Sequence, residues 1–101
     1  MKTKSFDAYL EKRLDKAEIK QIERLAKREK KLLERLQSDV ASAVASYMEE
    51  EGIGFNELVR RLDTSPTQVS NIIHAKANLT LASIAHIFAL LNRKPHIVFG
   101  E

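Results

Sequence analysis

Thr67, Gln68, Ser70, Asn71 and His74 lie close together in the chain, interleaved with Val69, Ile72 and Ile73. On a helix the two sets separate, the apolar residues turning inward and the polar ones outward. Apart from Gln68, the polar set consists of poor helix formers, where Ala, Glu or Lys would give a more stable exposed helix. A choice that costs helix stability needs a function to offset it. The chemistry offered is hydrogen bonding to flat polar edges. Asn71 can donate and accept together, which matches adjacent sites on an adenine, and Thr67 offers a hydroxyl and a methyl. Lys76 supplies a charge of the kind that meets phosphate. Catalytic chemistry is not expected. The chain has no cysteine, no glycine-rich phosphate loop and no plausible Ser-His-Asp set, and it is too small for a pocket lined by several elements. His74, His86 and His96 are widely spaced and share no helical face, so no metal or other cofactor is expected.

The elements that must position these residues can be read on either side. Asp63, Thr64, Ser65 and Pro66 form a turn signal, with Pro66 suited to the first turn of the helix that follows. Before the turn, Gly54 opens a short helix with Leu58, Val59 and Leu62 inward. After residues 75–78 comes a loop, and Thr80 caps a last helix. Leu81, Ile84, Phe88 and Leu91 form its inner face, while Ile87 and Leu90 form a second apolar face for dimerisation. Pro95 stops that helix. His96, Ile97, Val98 and Phe99 read as a short strand, which needs a partner to pair with. Ile97, Val98 and Phe99 therefore join the expected dimer contact.

No glycine or proline occurs before Gly52, and that stretch reads as helix. Ser5 can cap a first helix over residues 6–13. A second can begin at Asp15, whose spacing to Glu18 suits a capping box, or simply continue the first. Ile19, Ile22, Leu25, Ala26, Leu32, Leu33 and Leu36 recur at helical spacing in a thin stripe interrupted by Glu29. Ser38 or Asp39 can cap the next helix, which carries Val40, Val44, Tyr47 and Met48 on one face and ends at Glu51 and Gly52. Its terminal glutamates oppose the helix dipole, and read either as a solvated end or as a contact for a basic partner. Arg61 reads equally as a solvated residue, paired to Glu57 four positions away, or as a phosphate contact. The expected division is a charged helical extension over residues 1–37, a helical domain over 38–94 and a strand segment over 95–101.

The 101 residues carry a net charge of +3. Residues 1–38 hold 12 basic and 7 acidic side chains, and residues 39–101 hold 5 and 7. A modest basic balance fits nucleic-acid binding. No apolar run approaches the ~20 residues of a membrane span and no signal-peptide pattern opens the chain, so a cytoplasmic location is expected.

Ser65, Val69, Ser70 and Ile72, then Lys76, then Asn78, Leu79, Thr80 and Leu81 resemble the recognition helix, loop and next helix start of the Cro/C1-type (lambda repressor-like), or XRE, helix-turn-helix family. The resemblance covers about forty residues. It implies an all-α bundle that binds double-stranded operator DNA as a homodimer. Carried over by position, Pro66, Thr67, Ser70 and Asn71 face base edges, with Ser65 at the start of the same helix. Gln68 lies near the backbone or a base edge, and His74 and Lys76 lie near phosphates. Phe55 stands where the family often has a phosphate-binding glutamine, and Asn56 is the expected substitute. Val59 replaces a frequent alanine, and Asp63 a frequent glycine that Asp can mimic in the left-handed region.

The opening Ser5, Phe6, Asp7, Ala8, Tyr9 and Leu10, followed by a charged helical stretch, a DNA-binding domain and a short strand, is similar to HigA-like antitoxins of type II toxin–antitoxin modules. That resemblance implies repression of the chain's own operon and neutralisation of a RelE/HigB-like toxin, with Phe6, Tyr9 and Leu10 as partner-binding anchors. A stand-alone transcriptional regulator and a protein-binding adaptor without DNA affinity are the alternatives.

Overall fold

The computed structural model describes residues 16–100. The expected first helix over residues 6–13, with Phe6, Tyr9 and Leu10, lies outside the described residues. Among the described residues the chain is all-helical. Helix α1 spans Lys16–Glu51, α2 spans Phe55–Leu62, α3 spans Pro66–Ile73 and α4 spans Leu81–Leu90. The chain divides into two units, residues 1–33 and 34–101.

Within the first unit every described residue is exposed, including Ile19, Ile22, Leu25, Leu32 and Leu33. The helix does not break at Ser38 and Asp39, as the capping signal suggested, but runs through both. Both side chains are exposed there, so they can hydrogen-bond to solvent and leave the helical ladder intact. With no glycine or proline nearby, nothing forces the ladder open. The expected division between residues 37 and 38 thus falls inside one continuous helix.

The second unit is built round a core of Val44, Tyr47, Leu58, Leu62, Val69, Ile72, Ile87, Phe88 and Leu91. Each helix contributes positions three or four apart, as a helix burying one stripe must. Val40, Met48, Val59, Ile73 and Ile84 pack round the rim. The inward sets read from the sequence hold for α1, α2 and α3. They change for α4: Ile87 belongs to the core, whereas Leu81 is 71% exposed. Residues 84, 87, 88 and 91 form a single stripe at spacings of three, one and three. Leu81 sits in the first turn, beyond what the neighbouring helices cover.

Three helices end in the same way. Gly52, Ala75 and Asn92 take left-handed backbone with φ of 64°, 59° and 54°. At each, one amide reaches back three residues and the next reaches back five. For α3 these bonds are Ala75 N to Ile72 O at 3.2 Å and Lys76 N to Asn71 O at 2.8 Å. This is the Schellman arrangement, which satisfies carbonyls left over at a helix end. Residues 93–100 have no regular secondary structure. The expected strand over residues 96–99 is not formed by the single chain, because a strand with no neighbour has nothing to pair its backbone.

Candidate nucleic-acid interface

A tight turn joins α2 to α3. Asp63 closes α2 in the left-handed region, with φ 49° and ψ 47° and its amide bonded to Arg60 O. Asp adopts that backbone more readily than most residues other than glycine. Ser65 then caps α3, its Oγ accepting from the Gln68 amide at 3.1 Å, and Pro66 occupies the first turn. The turn is therefore specified by three local choices before any tertiary contact is made.

On α3, Val69 and Ile72 are buried, with Ile73 half-buried beside them. At about 100° per residue, the side opposite Val69 and Ile72 belongs to Thr67 and His74, flanked by Ser70 and Asn71. Pro66, Thr67 and His74 are exposed, and Ser70 and Asn71 are half-buried on the sides of the helix. Of the outward set read from the sequence, Thr67, Ser70, Asn71 and His74 thus share one face. His74 Nδ1 lies 2.7 Å from the Ser70 carbonyl. A carbonyl can only accept, so Nδ1 carries the hydrogen and Nε2 is left as the outer nitrogen. The same Nδ1 is 3.3 Å from Ser70 Oγ, which ties the two side chains together.

Gln68 points elsewhere. It lines an open groove of about 410 Å³ with Leu62, Asp63, Thr64, Ile72 and His86 among others, so it stands at the edge of the outward face. Lys76 is exposed immediately beyond the left-handed Ala75. Asn56 is exposed on the first turn of α2, which Gly54 opens without a side-chain cap. The first amides of that helix can therefore be satisfied by water or an anion.

The arginines behave differently from the lysine. Arg61 Nη1 donates to Tyr47 Oη at 2.7 Å, its Nε donates to Glu57 at 3.3 Å, and Nη1 lies 3.7 Å from Glu51. The Tyr47 hydroxyl above all holds its guanidinium still more firmly protonated than usual; desolvation opposes it in part, and Glu57 adds a smaller contribution in the same direction as Tyr47. The in-chain pairing with Glu57 that the spacing suggested is present. Arg93 pairs with Glu50 and stands 5.2 Å from the centre of the Tyr47 ring, with Arg61 at 5.8 Å. Two of the three glutamates ending α1 are thus neutralised within the chain. Arg60 pairs with Glu57 at 2.9 Å while staying largely exposed. Sequence reasoning placed Tyr47 on the inner face but did not reveal its two cationic neighbours. Nor did it reveal Gln37, whose amide donates to the Ala77 carbonyl at 3.0 Å and so anchors the loop after α3.

Of the expected dimer residues, Ile87 is withdrawn as a contact because the core takes it up, at 7% exposure. Leu90, Ile97, Val98 and Phe99 remain exposed, Phe99 at 90%. Among the described residues, no cluster of His, Asp and Glu is placed to hold a metal, and no helix is long and apolar enough to cross a membrane.

No protein-family model, curated protein or solved structure matches the chain.

Proposed function

We propose that α2, its turn and α3 form a helix-turn-helix that reads double-stranded DNA, and that the chain is a sequence-specific transcriptional repressor acting as a homodimer on a palindromic operator. The observation that carries this reading is the outward face of α3. It sets Thr67, Ser70, Asn71 and His74 together over a firmly buried Val69 and Ile72. Small polar groups on an exposed helix can enter a major groove and hydrogen-bond to base edges. Lys76, and the uncapped start of α2 with Asn56, are suited to the flanking phosphates. Dimerisation through Leu90 and the Ile97, Val98 and Phe99 segment would pair the strand that a single chain leaves unformed.

Within this class we place the chain as the antitoxin of a type II module, binding a RelE/HigB-like toxin through Phe6, Tyr9 and Leu10. That step rests on the resemblance of the opening residues. One observation favours the stand-alone regulator instead. Residues 1–38 carry 12 basic and 7 acidic side chains, a poor match for RNA-cleaving toxins, which are usually basic.

Enrichment of a random duplex library on the full-length protein tests the DNA-reading claim. Recovery of a palindromic motif, with affinity that falls as salt rises, is the expected result. No enrichment and no salt-dependent affinity would instead point to a protein-binding adaptor.

A further inference from the structure

The exposed stripe of α1 repeats at alternating steps of three and four: Ile19, Ile22, Ala26, Glu29, Leu33 and Leu36. That is the heptad spacing of helices that wrap round one another. Leu25 and Leu32, seven apart, widen the stripe on one side, while Glu23 and Lys30, also seven apart, border it on the other. The apolar members are open to solvent, Ile22 and Leu36 each at 54% exposure. An isolated helix with no buried face is marginal in water.

We infer that this stripe pairs with the same stripe of a second copy of the chain, antiparallel, about a two-fold axis between residues 27 and 28. The central charge and shape pattern selects that register, although at the ends of the contact Glu18 falls on the same flank as Asp39 of the second copy. In it, Ile19 meets Leu36 of the second copy, Ile22 meets Leu33 and Ala26 meets Glu29. On one flank Leu25 lies beside Leu32, and on the other Glu23 lies beside Lys30. The small Ala26 leaves room for the Glu29 stem to bend its carboxylate toward water. Every pairing occurs twice, as an isologous contact requires. Sliding the helices by one heptad sets Lys30 against Lys30 or Glu23 against Glu23, and a parallel in-register pair sets Glu29 against Glu29 in the core layer. Like charges at such positions disfavour those alternatives. Neither Glu23 nor Lys30 takes part in an ion pair among the described residues, so both are free for this contact. The inference stands whether or not the chain reads DNA.

The chain has no cysteine, which makes disulfide trapping clean. Ile22→Cys and Leu33→Cys are made in separate full-length proteins, at exposed positions where folding is not at stake. Mild oxidation of the mixture should give a crosslinked heterodimer, and neither protein alone should crosslink to itself. Self-crosslinking of Ile22→Cys as fast as the mixture would overturn the antiparallel register. A mixture that does not crosslink at all would overturn the pairing of this stripe with a second copy. As a second readout, Glu23→Lys or Lys30→Glu alone should weaken association in sedimentation, and the double exchange should restore it. Failure of the double exchange to restore association would overturn the charge pairing.

Discussion

Among the described residues four helices end in left-handed backbone, at Gly52, Asp63, Ala75 and Asn92, and Ala75 has neither the freedom of glycine nor the short polar side chain that lets Asp and Asn adopt that region. Holding a side chain with Cβ in that region costs about 1–2 kcal/mol. Ala75→Gly relieves the cost but enlarges the conformational freedom of the unfolded chain, which takes back about 0.4–1 kcal/mol. Ala75 is half-buried, so loss of its methyl takes back a further part of the ~0.8 kcal/mol of a fully buried one. The relief still wins narrowly, by about 0.5 kcal/mol. In urea unfolding, the midpoint should rise with m unchanged. Melting should rise by roughly 2–4 °C for a unit of this size. Ala75→Val is the opposing control, because a β-branched residue fits the left-handed region worst, and it should melt below the parent. If Ala75→Gly is the less stable protein and Ala75→Val is tolerated, the backbone at the end of α3 is not left-handed and the path to Lys76 is misread.

Leu58 is fully buried at the centre of a small core. Leu58→Ala should cost about 2–5 kcal/mol, a large share of a small unit's stability, and calorimetry should show most cooperative unfolding lost at 37 °C. Arg61→Ala should lower thermal stability and leave the salt dependence of DNA binding unchanged, because its guanidinium is engaged by Tyr47, Glu57 and Glu51. A reduced salt slope with unchanged stability would reassign Arg61 to phosphate. In a chain whose α1 pairing is already weakened by Glu23→Lys, Leu90→Glu or truncation after Lys94 should lower the sedimenting mass further at micromolar concentration. An unchanged mass would leave α1 as the self-contact.

The starts of α3 and α4 were the most legible part of the chain, whereas α4 ends at Leu90, ahead of the Pro95 stop read from the sequence. Ser65, Pro66 and Thr80 act through bonds within a few residues, and each caps or opens a helix as its chemistry suggests. The left-handed Asp63 and the Glu57–Arg61 pair are local in the same sense. What escaped the sequence was set at a distance. Whether Ser38 and Asp39 start a helix or ride through one depends on the ladder around them, and both are permitted by type. Ile87 and Leu81 are both apolar on α4, and only the positions of α2 and α3 decide which is covered. The bracketing of Tyr47 by Arg61 and Arg93 joins residues far apart in the chain, as does the Gln37 bond to Ala77. Most of the outward set on α3 was legible because burial of Val69 and Ile72 fixes the rotation of so short a helix; Gln68 was not, since it lies beside Ile72 at the groove. Of the residues expected at a dimer contact, Ile87 is taken up by the core and Leu90 stays exposed, a division that periodicity on α4 alone did not show.

Affinity of the parent, Asn71→Ala and Lys76→Ala for the enriched duplex and for its full set of single base-pair substitutions tests base reading by α3 most directly. Asn71→Ala should lose about 1–3 kcal/mol on the parent site and lose its preference at one base pair in each half-site, whereas Lys76→Ala should weaken every duplex alike and lower the salt slope by about 1. Loss of equal size on all duplexes for Asn71→Ala, with every base preference retained, would contradict the reading of DNA by this face.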